Sequence, residues 1–299
     1  MNTLSPQSST VRPWQAVHRP DDAVTVIAPD APCPLVYSLP HSGRIYPDSF
    51  VAASCLSPDA LRGSEDAWVD ALVAPEAQGV HAVIAHYARA FCDVNRHPLE
   101  LDARLIRGEL PKSALSLSAR VKAGYGVIAR RLSADQDIYR QPLDMDEVNQ
   151  RLDLIHRPYH EALLTVLLRA REAARQQGRN AILIDWHSMP GMALSYLGEA
   201  PRPDIVLGDR HGASCTPGLV RHVKRFFEAK GLRVGVNKPF AGGYIVEHYG
   251  RPSAGMDALQ IEIHRAIYMD ESSLRLNADA ARLQAVFAAL TASLRDFGG

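Results

Sequence analysis

The chain has 299 residues, 46% of them hydrophobic and 22% charged, with 33 Lys and Arg against 33 Asp and Glu. A net charge of zero attracts neither nucleic acid nor an anionic membrane surface, and no apolar run reaches membrane-spanning length. Cys33, Cys55, Cys92 and Cys215 form no CxxC pair and no regular spacing, which excludes a disulfide framework and a thiolate zinc site.

The start, from Met1, lacks the basic and apolar regions of a signal peptide, so the expected location is the cytoplasm, with free thiols and a small-molecule partner. Residues 1 to about 20 are polar and proline-containing and read as a flexible arm. With no break in composition, residues 21–299 are expected to form a single α/β/α domain.

Val24–Ala28 and Leu35–Leu39 read as strands, the second running into Pro40, His41, Ser42 and Gly43. Ser64 opens a helix-like stretch in which Glu65 and Asp66 suit the first turn and Asp70 shares a face with Asp66. Val80–His86 is a further strand, and Ala90–Val94 another, ending in Asn95, Arg96, His97 and Pro98. Residues 99 to about 140 lack periodicity and read as a long functional excursion. Within it, Gly124-Tyr125-Gly126 imitates a dinucleotide fingerprint, but no convincing core strand precedes it.

From Met145 to about Gln177 the apolar spacing predicts a long amphipathic helix, bent near Pro158 and stopped at Gly178. The apolar run 180–185 then ends in Trp186, His187, Ser188 and a Pro-Gly turn. Strands at 204–208 and 232–236 flank a helix at about 217–230, and a Gly-rich loop, Phe240–Tyr244, follows the second. The strand Ala258–His264 and a closing helix at about 275–296 complete the chain. Strands alternating with helices predict a three-layer α/β/α sandwich with a mostly parallel or mixed sheet.

Strand ends in such folds border the ligand crevice, and two of them carry histidine, His41 and His187. At a period of two, Gln260, Glu262 and His264 share one face of the last strand, so that face is either solvated or lines a site. Imidazoles that hold zinc and a carboxylate that works on water are the parts of a metal hydrolase, and neither GxSxG nor HExxH competes.

Taken in order, Pro40-His41-Ser42-Gly43, Glu65 to Asp70, Asp93-Val94-Asn95-Arg96, Asp185-Trp186-His187-Ser188, Gly242-Gly243-Tyr244 with His248-Tyr249-Gly250, and Gln260-Ile261-Glu262 resemble the N-formylglutamate amidohydrolase family. The resemblance implies a fold related to zinc carboxypeptidases and aspartoacylases. It also implies hydrolysis of N-formyl-L-glutamate to formate and L-glutamate, at the end of histidine degradation. Carried over by residue, it makes His41 and His187 ligands of one zinc ion per chain, Glu262 the general base, and Asn95 and Arg96 the pair that holds a substrate carboxylate.

Those relatives take a carboxylate ligand three residues after the first histidine, a position held here by Arg44, which cannot bind zinc. Asp66 is the preferred replacement, followed by Glu65 and Asp70. Arg130 is a candidate for a second substrate carboxylate, and Tyr244 for a mobile substrate contact. Two other functions remain open: a zinc hydrolase of another N-acyl amino acid or short peptide, and a non-catalytic carboxylate-binding protein of the same fold.

Overall fold

A computed structural model describes residues 23–198 and 200–298. The arm expected over residues 1 to about 20 lies outside them. Among the described residues, seven strands form the central sheet: β1 (Val24–Ile27), β2 (Leu35–Leu39), β3 (His81–Ala85) and, beyond a small hairpin of β4 (Arg131–Ser133) and β5 (Gln136–Asp137), β6 (Ala181–Met189), β7 (Ile205–Gly208), β8 (Val234–Val236) and β9 (Met256–His264).

The strand order is β1-β3-β2-β6-β9-β7-β8. β3, β2, β6 and β9 run parallel, while β1 pairs antiparallel with β3 and β7 antiparallel with β9, which makes the sheet mixed. β6 and β9 are the longest strands, are buried almost throughout and lie next to each other at the middle of the sheet. Central strands covered on both faces read as apolar runs, and that is how these two were recognised.

Alternation along the strands divides the core into two layers. Val36, Val83, Leu183 and Ala258 pack on one face with Tyr159, Leu163, Val166 and Leu167 of the helix Arg157–Gln176. Tyr37, Ile184, Trp186, Leu259 and Ile261 pack on the other face with Leu219 and Val223 of the helix Pro217–Ala229 and Leu283 and Phe287 of the helix Ala280–Arg295. The result is the expected three-layer α/β/α sandwich.

The long helix changes its winding locally. It begins as Met145–Arg151, passes through a π turn at Leu152–His156 and continues as Arg157–Gln176. The Arg157 N–H donates to Leu152 O just ahead of Pro158, which has no N–H to give. The four cysteines are free thiols, and among the described residues no helix is long and apolar enough to cross a membrane.

Two expected elements differ. Residues 90–94 form no strand: the Phe91 and Cys92 amides both bond back to Ala88 O, so this apolar stretch is a turn packed into the core. Ser64 caps no helix either. Its hydroxyl donates to Leu61 O, and the next helix starts only at Val69, after Trp68 in the left-handed region at φ 68°. Glu65 and Asp66 are therefore free of capping and are buried.

Trp186 anchors the second core layer, edge-on to Tyr37 at 5.6 Å and tilted on Phe287 at 5.2 Å between ring centroids. Phe287→Ala is expected to cost about 3–5 kcal/mol, because the rigid sheet beneath it limits collapse of the cavity. Chemical denaturation of the folded variant measures this.

Candidate active site and metal centre

His41 lies two residues past the end of β2, on a turn whose path requires Gly43, since a Cβ there would sit 2.2 Å from Tyr87 O. The turn carries a second residue into place: the Asp66 amide donates to His41 O at 3.0 Å. His187 projects from β6 on the same face as Asp185, and across the parallel ladder Asp185 is level with Gln260 and His187 with Glu262. Sheet register and one loop-to-loop hydrogen bond thus bring together residues far apart in sequence.

His41, Asp66 and His187 are all buried, and one ligand atom from each lies within 4.8 Å of the others. Asp66 Oδ2 is 3.0 Å from His187 Nδ1 and 3.3 Å from His41 Nδ1. Its other oxygen accepts from Arg265 Nη2 at 3.2 Å and from the Ser188 hydroxyl at 3.4 Å, which leaves Oδ2 to face the imidazoles.

The far nitrogen of each ring is held by a second buried acid. His41 Nε2 donates to Asp93 Oδ1 at 2.7 Å and His187 Nε2 to Asp185 Oδ2 at 2.9 Å. With a proton on Nε2 and none on Nδ1, both Nδ1 lone pairs would point inward at a carboxylate, so that a proton or a metal cation must lie between them. Acceptors facing acceptors in a buried place are costly unless a cation lies between them. His41 Nδ1 is buried and, beside its 3.3 Å contact with Asp66, has no hydrogen-bond partner, which leaves its lone pair available to a metal ion. Two imidazoles and one carboxylate, each oriented by an outer hydrogen bond, fit a divalent transition metal with a position left open.

The charges of these groups answer to one another. Burial alone would favour neutral Asp66, yet its bonds to His187 and His41 hold its pKa well below the usual carboxylate range. Burial also opposes charging of His187, but Asp185 and Asp66 carry its pKa well above the ordinary value. Asp93 is held low, against burial, by Arg89 and His41. Glu262 goes the other way: burial pushes its pKa up to about 7, with His187 opposing and Asp66 adding to the rise. A carboxyl group near neutrality is suited to taking and returning a proton.

Glu65 and Asp70, the other two ligand candidates, are committed elsewhere. Glu65 accepts from Tyr46 OH at 2.9 Å and Arg62 Nε at 3.0 Å, and Asp70 pairs with Arg44 at 2.6 Å. Arg44, three residues after His41, is the partner that neutralises Asp70.

The three convergent residues and Glu262 open onto a cavity of about 490 Å³ that is also lined by Asn95, Arg96 and Gln260. Arg96 is oriented by two carbonyls, Nε donating to Tyr125 O at 3.1 Å and Nη1 to Asn95 O at 2.9 Å. The Asn95 side chain faces inward, with Nδ2 donating to Asp185 Oδ2 at 3.1 Å and lying 2.9 Å from His187 Nε2. In this structure Asn95 therefore braces a histidine.

Arg130 and Tyr244 are placed differently from expectation. Arg130 donates to Asp102 at 2.9 Å and to Asp137 at 2.8 Å and is not part of the cavity wall, because the excursion's own acids hold it. Its neighbour Arg131 lines the cavity instead. Tyr244 turns away to a second cavity, among the rings of His97, His160 and His248. His264, expected to share the face of Glu262, also lies outside the cavity wall.

Sequence reasoning passed over Arg89, Arg120, Arg131 and Arg265, which all line the cavity, and the bracing roles of Asp93, Asp185 and Gln260. A signal existed for Asp185, which shares a strand face with His187 at period two. None existed for Arg120 and Arg131, which stand on a non-periodic excursion.

The Gly-rich loop works through its backbone. The Gly243 amide donates to Gln260 Oε1 at 2.7 Å, Gln260 Nε2 donates to Glu262 Oε1 at 2.8 Å, and the Ile245 amide donates to Asn95 Oδ1 at 2.8 Å. A Cβ on Gly243 would meet Asn95 Oδ1 and Nδ2 at 2.5 Å. Gly243→Ala should therefore push Asn95 off the His187–Asp185 pair and lower kcat at least about 10-fold with little change in fold. Steady-state kinetics beside a circular-dichroism spectrum check this, and near-native kcat would contradict the bracing role.

Comparison with known proteins identifies the family. The family model for N-formylglutamate amidohydrolase matches residues 33–269. An N-formylglutamate deformylase of Pseudomonas putida is 30% identical over 244 residues, which cover 80% of this chain and 83% of that protein. One of Pseudomonas aeruginosa is 28% identical over 272 residues, 89% of this chain and 94% of its own length. The crystal structure of an N-formylglutamate amidohydrolase from Ralstonia eutropha JMP134 superposes with a TM-score of 0.84 at 34% identity, covering 93% of this chain and 98% of that one. Since the matched model spans both histidines, Asp66 and Glu262, the chain belongs to the N-formylglutamate amidohydrolase family.

Proposed function

We propose that this protein is a metal-dependent deformylase that cleaves N-formyl-L-glutamate to formate and L-glutamate, the closing step of histidine degradation. The observation that carries the reading is the buried convergence of His41 Nδ1, Asp66 Oδ2 and His187 Nδ1 on the wall of an arginine-rich cavity that Glu262 also lines. Homologues of that activity support the substrate.

Zinc is the metal we assign to the two-imidazole, one-carboxylate set; when bound it would acidify a water molecule and polarise the formyl oxygen. The remaining work belongs to the chain. Glu262, kept close to neutrality by burial and steadied by Gln260, takes a proton from the attacking water. It returns that proton to the glutamate nitrogen as the C–N bond breaks, which releases a neutral amine. Arg96, with its Nε and Nη1 fixed by carbonyls, presents its remaining edge to a substrate carboxylate and so orients the amide. Asp93, Asp185 and Asn95 keep both imidazoles turned inward through the cycle.

Purified protein is expected to carry one divalent ion per chain, and His41→Ala and His187→Ala should each lose most of it without unfolding. Asp66→Asn should weaken metal affinity more than Glu65→Gln or Asp70→Asn, because an amide oxygen is a poorer zinc ligand than a carboxylate. Elemental analysis and metal titration decide the matter. Stoichiometric metal in both histidine variants would overturn the centre.

Glu262→Gln should lower kcat for N-formylglutamate by at least about 100-fold while metal content is unchanged, since the substitution removes the proton carrier at constant size. Near-native kcat would remove Glu262 from the proton transfer. Loss of metal would make it a ligand.

A further inference from the structure

Five arginines, Arg89, Arg96, Arg120, Arg131 and Arg265, face three carboxylates, Asp66, Asp93 and Glu262, across the cavity wall. A divalent cation among His41, Asp66 and His187 would add to that positive excess. Most of the arginines have acidic partners. Arg89 donates to Asp93 at 2.8 Å, Arg265 to Asp66 at 3.2 Å, and Arg131 to Asp137 at 2.9 Å. Arg96 is tied to two carbonyls and comes no nearer than 3.9 Å to Asp93.

Arg120 differs from all of these. Among the described residues its one hydrogen bond is to a neutral acceptor, Gly242 O at 3.3 Å, and it makes no ion pair. Glu100, the acid at the base of its helix, is occupied by the Ser118 hydroxyl at 3.1 Å and the His97 amide at 3.2 Å. Arg120 is half-buried and stands on the short helix Ala119–Ala123, within the excursion that spans 99 to about 140.

We infer that Arg120 binds the second carboxylate of the substrate, the one remote from the scissile amide, and thereby selects a dicarboxylic N-acyl amino acid. The inference rests on the proposed deformylase reading and assigns a specificity residue within it. Arg96 follows Asn95, which touches His187, so its backbone is close to the catalytic centre and suits the carboxylate next to the amide. Arg120 approaches from the excursion, on the side of the Gly-rich loop, and suits the far one. The pKa of Arg96 is lowered first by burial, then, with Asp93 opposing, by repulsion from Arg89 and Arg120. The two guanidinium groups thus act on each other across the cavity, and a dianion with carboxylates at both ends relieves the repulsion at each. The Arg120 contact with Gly242 O would also tie the excursion to the loop that holds Gln260 and Asn95, so a ligand on Arg120 would bear on the loop behind Glu262.

The test uses the full-length, metal-loaded enzyme and two substrates that differ only at the far end, N-formyl-L-glutamate and N-formyl-L-glutamine. The ratio of their kcat/KM values should favour the acid in the native protein and fall at least about 30-fold in Arg120→Gln, with a smaller fall in Arg120→Lys, which keeps the charge but not the planar fork. An unchanged ratio, or equal losses on both substrates, would overturn the inference, as would a collapse of preference in Arg131→Gln with none in Arg120→Gln. Calorimetric binding of L-glutamate and L-glutamine separates this result from the proposed activity. If the native enzyme fails to turn over N-formylglutamate, the deformylase reading falls. Even then, a preference for glutamate that disappears in Arg120→Gln supports the anion site, and no preference in the native protein overturns it.

Discussion

Two histidine nitrogens and a carboxylate oxygen face one another at the buried end of the cavity, and the surrounding structure is arranged to keep them there. Left alone, the imidazoles would rotate or share a proton with Asp66. Asp93 and Asp185 restrain the rotation by accepting from the outer nitrogens, so each ring turns its inner nitrogen toward Asp66. Those acids are themselves buried and must be satisfied: Arg89 answers Asp93, and Ser38 and Asn95 answer Asp185 at 2.7 and 3.1 Å. The polar network continues from Ser38 to Tyr159 on the helix that covers this face, at 2.8 Å. A network of this kind restrains its members because each of these acids is held by more than one donor.

The sheet supplies that restraint at small cost in chain length. β2, β6 and β9 are neighbours, and the face that carries Val36, Leu183 and Ala258 near their starts carries Ser38, Asp185, His187, Gln260 and Glu262 near their ends. One face thus changes from hydrophobic core to chemistry along the direction of the strands. The opposite face stays mostly apolar, with Trp186, Ile261 and Ile263 behind the candidate ligands, until Ser188 near the end of β6 bonds to Asp66 and Arg265.

Loops complete the site in two different ways. The Gly242–Tyr244 segment contributes amides, through which it fixes Gln260 and Asn95, and its tyrosine serves the second cavity's ring cluster. The excursion contributes side chains. Arg120 and Arg131 reach the cavity from it, whereas Arg130 is used to hold the excursion together through Asp102 and Asp137. Adjacent arginines on one loop therefore have opposite duties, and only their partners distinguish them.

Local pattern was enough to define the α/β/α layering, the central strands and their polar ends, because apolar periodicity is a property of neighbouring residues and survives without knowledge of the rest of the fold. It was enough as well to single out His41, His187 and Glu262 as candidates, since they stand at strand ends or on a strand face, and the structure places all three on one cavity wall. It failed at residues 90–94, where burial without strand pairing leaves the same apolar composition as a strand. It could not choose among Glu65, Asp66 and Asp70, three acids on one short stretch. That choice came from contacts distant in sequence: Tyr46 and Arg62 take Glu65, Arg44 takes Asp70, and the His41 carbonyl draws the Asp66 amide to the site. The surroundings of Arg120, Arg130 and Tyr244 were likewise decided by tertiary structure alone, since a charged or aromatic side chain on a loop has no periodicity to reveal its direction, and only the fold determines which partner it meets first.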